Sequence, residues 1–193
     1  DYRTSIEHAF QQIEQHLVLS SWKDAMIAGK KYLDIGKLIE VPHFGCFKDH
    51  QSVFIRNKPE KVLDNVWSIG GGRGWYYANW LWGLRGFLDK LVGGVGLRRG
   101  RTNEDSISIG DALDFWRVIY ANKEEGRLLL FAEMKLPGEA WLEFKIDPAD
   151  RILEQTATFR PRGLWGRIYW LILIPFHAFI FRGMIRNIEK YKS

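Results

Sequence analysis

The stretch that most constrains the fold runs from Ile107 to Arg160. There, apolar and polar residues alternate with period two, and turn-forming clusters fall at Asn122 to Gly126, Pro137-Gly138 and Asp147 to Asp150. Alternation of that period puts one face of each segment on a core and the other in water, and connections this short join strands that run antiparallel. The pattern predicts a four-stranded meander over Leu113 to Ala121, Arg127 to Leu136, Glu139 to Ile146 and Arg151 to Arg160. Val66 to Ile69 could add a strand, and shorter strand-like runs lie at Leu38 to Val41 and Val53 to Ile55.

A tight connection at Pro137-Gly138 sets Leu142 opposite Glu133 and Phe144 opposite Phe131. In the third strand Ala140, Leu142, Phe144 and Ile146 alternate with Glu139, Trp141, Glu143 and Lys145, so the first set is the expected inner face. Carried across the hairpins, that face takes Leu113, Phe115, Arg117 and Ile119, then Leu129, Phe131 and Glu133, then Leu153, Gln155, Ala157 and Phe159. Arg117, Glu133 and Gln155 then point into an apolar interior, where charges need partners or a ligand. The competing expectation is that one strand is slipped or bulged and these three face water.

After the meander, Ile168 to Phe181 is apolar except for His177 and is bounded by Arg167 and Arg182. Fourteen residues are too few to span a bilayer as a helix, and Pro175 would kink one, so a buried helix is expected. Trp170, Ile174, His177, Phe181, Met184 and Ile188 fall on one stripe, which should lie on the concave face of the sheet. His177 reads either as a packed core histidine or as a ligand or base.

Before the meander, Trp67 to Arg101 gathers four of the nine tryptophans and ten of the nineteen glycines. Glycine at this density marks sharp turns or close approach of bulky neighbours. It is no dinucleotide loop, because the third glycine of G-x-G-x-x-G would fall on Trp75, Tyr77 or Arg99. A helix is legible in Trp80, Leu81, Leu84, Phe87, Leu88 and Leu91, with Asn79 to cap it and Gly93-Gly94 to end it, and with Arg85 and Asp89 on the other side as a solvated pair. Arg98, Arg99 and Arg101 then form either a solvated loop or an anion or headgroup site.

The chain has 193 residues, 46% of them apolar, enough to bury a sizeable core. The net charge of +5 is spread along the sequence without a nucleic-acid motif, so a nucleic-acid partner is not expected. A single cysteine, Cys46, rules out an internal disulfide framework, and no Cys/His spacing suits zinc; the cytoplasm is the expected compartment and no metal is expected. The opening residues lack the pattern of a signal peptide and read as a piece of something longer. Residues 1 to 40 carry two thinly apolar helices, one over residues 4 to 17 and a shorter one after Ser20-Ser21, and Asp1 to about Gly29 is expected to pack weakly on the domain that follows, residues 41 to 193.

The strings WSIGGGRGWYYANWLWGLRGFLDKLVGGVGLRRGR, LDFWRV, AEMKLPGEAWLEF and FRPRGLWGRIYWLILIPFHAFIF resemble a bacterial domain of unknown function found behind NAD(P)-binding, nucleoside-diphosphate-sugar-epimerase-like domains of the extended short-chain dehydrogenase type. That domain is similar in architecture to the START and birch-pollen-allergen superfamily, in which a curved antiparallel sheet grips a long C-terminal helix around a cavity. The resemblance implies that Thr4 to Gly29 is the tail of a preceding reductase-like domain, so residues 1 to 40 are either such a tail or a helical appendage. It also implies that NAD(P), if used at all, belongs to that domain, since this chain contains no cofactor site. It carries no catalytic residues.

The resulting expectation is an α+β helix-grip domain that binds a small apolar or amphipathic molecule between the last helix and the sheet, floored by the Trp67 to Arg101 segment. Phe115, Arg117, Phe131, Glu133, Phe144, Gln155, Trp170, Ile174, His177 and Phe181 are the candidate ligand-binding residues. Two other readings stand beside it. One is a cyclase- or hydrolase-type enzyme with Glu133 or His177 as general base and Arg117 as charge stabiliser. The other is a module that docks on a fused or partner reductase-like domain. Peripheral contact with a membrane ranks behind all of these.

Overall fold

The computed structural model describes residues 41–70, 72–91, 93–94, 96 and 106–192. The chain order is β1 (Phe47–Phe54), α1 (Pro59–Val66), α2 (Asn79–Leu91), β2 (Ala112–Leu113), β3 (Trp116–Asn122), β4 (Arg127–Ala132), β5 (Gly138–Asp147), β6 (Ile152–Pro161) and α3 (Gly163–Lys190). The six strands form one antiparallel sheet in the order β1-β6-β5-β4-β3-β2, against which α3 packs. The architecture is therefore α+β and of the helix-grip type. The expected two-part division is open on its first part, since residues 1 to 40 lie outside the described residues, as does the run at Leu38 to Val41 apart from Val41, which is not in a strand.

The turns hold the meander together by local hydrogen bonds. Asn122 Oδ1 accepts the N–H groups of Glu124 and Glu125, and Asp147 Oδ1 those of Ala149 and Asp150, so each asparagine or aspartate stands in for a backbone acceptor at its corner. The β5–β6 register places Leu142 opposite Ala157, Phe144 opposite Gln155 and Ile146 opposite Leu153, all on the inner face as expected.

The β4 register corrects the sequence reading. Leu142 pairs with Leu130 and Phe144 with Leu128, rather than with Glu133 and Phe131. The reason is the length of the connection: β4 leaves the sheet at Ala132, and residues 133 to 137 form a longer loop in which the Glu133 N–H returns to Phe115 O. An odd shift of register exchanges the two faces of a strand. Leu128, Leu130 and Ala132 therefore face the core, while Leu129 and Phe131 join Val41, Tyr120 and Trp141 in a smaller cluster on the opposite face.

The first predicted strand is divided. A turn at Asp114-Phe115, with Asp114 at φ 53°, separates β2 from β3, and Trp116 and Val118 take the inward positions beside Ala132 and Leu130. A bulge between Val118 and Tyr120 then changes the phase, which places Tyr120 and Ile119 with the outer cluster. Val66 to Ile69 is not a strand; it is the end of α1 and the turn that follows.

The C-terminal end of α3 is the firmly held end. Phe181, Met184, Ile185 and Ile188 are buried, and side-chain amides take up the last carbonyls: Asn65 Nδ2 donates to Ile188 O and Tyr191 O, and Asn57 Nδ2 to Glu189 O. The N-terminal part differs from the expected buried helix. Leu164, Trp165, Ile168, Leu171, Ile172, Ile174, Phe176 and Phe179 are between 37% and 77% exposed. Ile174 thus points away from the sheet, and the helix continues through Pro175.

The orientation of α2 is the inverse of its expected one. Trp82, Gly86 and Asp89 face inward, while Trp80, Leu84, Phe87, Leu88 and Leu91 are 47% to 69% exposed. Asp89 faces inward because its carboxylate accepts the N–H groups of Lys135 and Gly96, which ties the helix to two loops. Asn79 does not cap the helix, its Oδ1 accepting the Trp75 N–H instead, whereas Gly93, at φ 76°, follows the last turn as expected.

Candidate functional site

Between α2, the N-terminal half of α3 and the inner face of the sheet lies a cleft of about 480 Å³. Its floor is Trp116, Ala157 and Phe159 from the strands; one wall is Leu81, Trp82, Arg85 and Leu88 of α2, the other Tyr169, Trp170, Leu173, His177 and Phe181 of α3. Cleft and core are joined by aromatic contacts. Phe47 and Phe159 stack on Trp170 at 5.8 and 5.5 Å, Trp170 meets His177 at 4.8 Å, and His177 lies 5.2 Å from Phe181. From Phe181 the contacts continue to Trp82 and, at 4.8 Å, to Trp75, whose own neighbour is Trp116.

Few polar groups enter this space. Arg85 reaches it from α2, where its Nε donates to the Met134 thioether at 2.9 Å and its guanidinium lies 5.9 Å from the Tyr169 ring. A thioether is a weak acceptor, and no carboxylate among the described residues pairs with Arg85. Asp89, one turn along, is occupied by the two backbone amides. His177 Nδ1 and Trp116 Nε1 are buried without hydrogen-bond partners among the described residues. Burial of the imidazole, with the nearby Arg85 cation adding to it, pulls His177 from 6.5 to about 4, against a smaller opposing pull from Asp49. The ring is therefore neutral at pH 7.

A second polar group of side chains lies under α3 on the β1–β6 edge. Asp49 and Gln51 are half-buried, and Gln51 Nε2 donates to Asp49 Oδ1 at 2.5 Å. Gln155, paired in register with Gln51, is 1% exposed, and neither its Oε1 nor its Nε2 has a partner among the described residues.

The candidate residues from the sequence separate into groups. Trp170, His177 and Phe181 line the cleft. Phe115 and Phe144 are fully buried in the core beneath it and do not reach it, and Gln155 lies on the same inner face without lining it. Arg117, Glu133 and Phe131 are on the other side of the sheet, Phe131 and Glu133 through the β4 register and Arg117 through the turn at Asp114-Phe115. There Arg117 Nε and Nη2 donate to the two carboxylate oxygens of Glu133 at 2.8 and 2.9 Å, and Nη1 donates to Gly110 O. The inner polar triplet of Arg117, Glu133 and Gln155 is therefore not formed, and neither Arg117 nor Glu133 is placed to act in the cleft. Arg98, Arg99 and Arg101 lie outside the described residues.

Sequence reasoning missed most of the cleft lining, Arg85 and Trp116 among it. Alternation started at Trp116 rather than Leu113 would have found the tryptophan. Nothing in the pattern around Arg85 distinguishes it from an arginine in water. Among the described residues there is no group of three or more metal-ligating side chains.

An antiparallel sheet packed on a C-terminal helix, with an apolar cleft between them, defines a helix-grip fold. Within that class the chain belongs to the family described as "Protein of unknown function (DUF2867)", which matches residues 45–184. Among solved structures it is similar to norcoclaurine synthase from Thalictrum flavum in complex with dopamine and hydroxybenzaldehyde, at 9% identity and a TM-score of 0.45, over 77% of this chain and 89% of that one. It is also similar to a Nitrosospira multiformis protein, at 12% identity and a TM-score of 0.43, over 76% and 97% of the two chains. A third is the major latex-like protein 151 of Panax ginseng, at 9% identity and a TM-score of 0.42, over 75% and 95%. No curated protein matches the chain in sequence.

Proposed function

We propose that this chain binds a small amphipathic molecule, with an apolar body held among the aromatic rings of the cleft and an anionic or carbonyl head on Arg85. The observation that carries the reading is a guanidinium at the edge of an apolar cleft, with a thioether and an aromatic ring in place of a carboxylate. A volume of about 480 Å³ is in the range of pockets that enclose ligands of drug size. His177 is neutral at pH 7 and so adds no second positive charge beside Arg85. In this reading an adjoining reductase-like domain, as the sequence resemblance implies, would receive the bound molecule.

The test uses a fluorescent acyl carboxylate, cis-parinaric acid, and an acyl alcohol of the same length as competitor. Ala157→Phe places a ring into the cleft from its floor and should lower affinity for both at least tenfold. Arg85→Met should cost the carboxylate roughly tenfold or more, as a charge-assisted hydrogen bond is worth about 1.5–3 kcal/mol, and should leave the alcohol nearly unchanged. A folded Ala157→Phe protein that binds like the wild type overturns the cleft reading. An Arg85→Met protein with equal losses for acid and alcohol overturns the assignment of the head group.

A further inference from the structure

We infer that the exposed apolar faces of α2 and α3 form a docking surface for an anionic lipid bilayer. The inference rests on four observations that do not depend on what the cleft holds. First, α2 turns its apolar stripe outward: Trp80, Leu84, Phe87, Leu88 and Leu91 are exposed, while the inward positions go to Trp82, Gly86 and Asp89. A soluble surface helix would be expected to do the opposite.

Second, α3 is long and apolar enough to cross a bilayer by length and composition, yet only 22% of its most apolar stretch is buried. Its other face is held by the sheet through Trp170, Phe181, Met184 and Ile188, so it cannot leave the domain to span a membrane without undoing the core. A helix anchored along one side and apolar along the other can instead lie in the interface plane, with its outer side chains among the acyl chains.

Third, the two faces are continuous. Leu84 and Leu88 of α2 and Phe176 of α3 are each about half exposed and also line the cleft, so the surface surrounds the mouth. Its exposed members between Ile168 and Phe179 on α3 carry no hydrogen-bonding side chain. Protein interfaces carry about one hydrogen bond per 100–200 Å² together with a polar rim, whereas lipid tails ask for none. Trp80 and Trp165, both exposed, have the amphipathic rings that suit the headgroup level.

Fourth, the charges on these helices have one exposed sign. Lys90, Arg167, Arg182, Arg186 and Lys190 are exposed, as is Arg162 just before α3. The two acidic residues of α2 and α3, Asp89 and Glu189, are both buried and accept backbone N–H groups, Asp89 from Lys135 and Gly96, Glu189 from Arg56. Arg167 and Arg182 bound the apolar run of α3, where long side chains can reach phosphates while their stems stay in the apolar layer. A surface of this composition favours anionic over neutral headgroups.

The experiment is sedimentation of the full chain with vesicles of phosphatidylcholine alone and of phosphatidylcholine with phosphatidylglycerol, with light scattering of the lipid-free protein alongside. The expected result is a monomer that partitions at least tenfold more strongly to the anionic vesicles. The substitutions Phe87→Glu and Leu171→Glu, at exposed positions that do not line the cleft, should lower that partition tenfold or more while leaving the thermal midpoint unchanged. Equal partition to both vesicle types overturns the inference, as does wild-type partition by the two variants. A monomer that ignores vesicles assigns the face to a protein partner, and a dimer that ignores them and is dissolved by the same substitutions assigns it to a second copy; either result overturns the inference. Acyl-ligand binding is measured without vesicles, so failure here leaves the cleft reading standing and failure there leaves this one.

Discussion

Replacing Gln155 by leucine should make the protein more stable. Gln155 is 1% exposed on the inner face of β6, flanked by Leu153 and Ala157 and opposite Phe144, and both polar atoms of its amide lack partners among the described residues. A buried donor or acceptor left unpaired costs about 1–3 kcal/mol. Leucine removes that cost and fills a similar volume, at a repacking penalty of up to about 1.5 kcal/mol. The expected net gain is about 2 kcal/mol. For a chain of this length that corresponds to a rise of roughly 4–8 °C in thermal midpoint, since 1 kcal/mol moves it by about 2–4 °C. Urea denaturation followed by circular dichroism, with calorimetry for the midpoint, measures both quantities. A Gln155→Leu protein less stable than the wild type by 1 kcal/mol or more would refute the reasoning, because it would mean that the amide finds partners in solution and that this part of the interior is wet.

Two further expectations concern stability. His177 titrates at about 4 in the fold against 6.5 when unfolded, so the unfolded chain takes up the proton first, and stability falls as the pH drops from about 6.5 to about 4. The whole effect is on the order of 3 kcal/mol, and a His177→Phe protein should lose that part of the slope when urea midpoints are compared at pH 7 and pH 4.5; parallel curves for the two proteins would count against a buried, neutral imidazole. Gly166→Ala should destabilise by about 2–3 kcal/mol in the same assay, because a Cβ there would sit 2.3 Å from Pro137 O and 2.9 Å from Pro161 Cα, and an unchanged midpoint would mean that the start of α3 does not rest on that turn.

Much of the fold was readable because its signals are local. Turns at Asn122, Asp147 and Gly93 follow from side chains and glycines that act within a few residues, and the inner face of β5 and β6 follows from strict alternation across a short connection. The cleft was less readable because its members depend on register and on helix rotation. One loop longer than expected exchanged the faces of β4 and took Phe131 and Glu133 out of the interior, and the Asp114-Phe115 turn did the same for Arg117. On α2 the apolar stripe was correctly seen and wrongly aimed. Two backbone amides, of Lys135 and Gly96, hold Asp89 inward, and neither is visible in the pattern of the helix itself. Ile174 was misplaced for a related reason: a stripe on a helix that is apolar all round does not say which side the sheet will take.

The pairing of β1 with β6 joins strands whose partners, such as Phe47 and Phe159, are separated by most of the described chain. During synthesis β1 emerges first and has nothing to pair with until β6 follows it. At about 5–20 residues added per second, the hundred or so intervening residues impose a wait of roughly 5–20 s. The β3–β5 hairpins can form in that interval from neighbouring strands, whereas the β1–β6 edge of the sheet, and with it the seat of Trp170 on Phe47, must close a long loop. Cells that make this protein therefore hold, for seconds at a time, a β1 strand with no partner and α3 not yet made, and the speed of translation sets how long that strand is available to other chains.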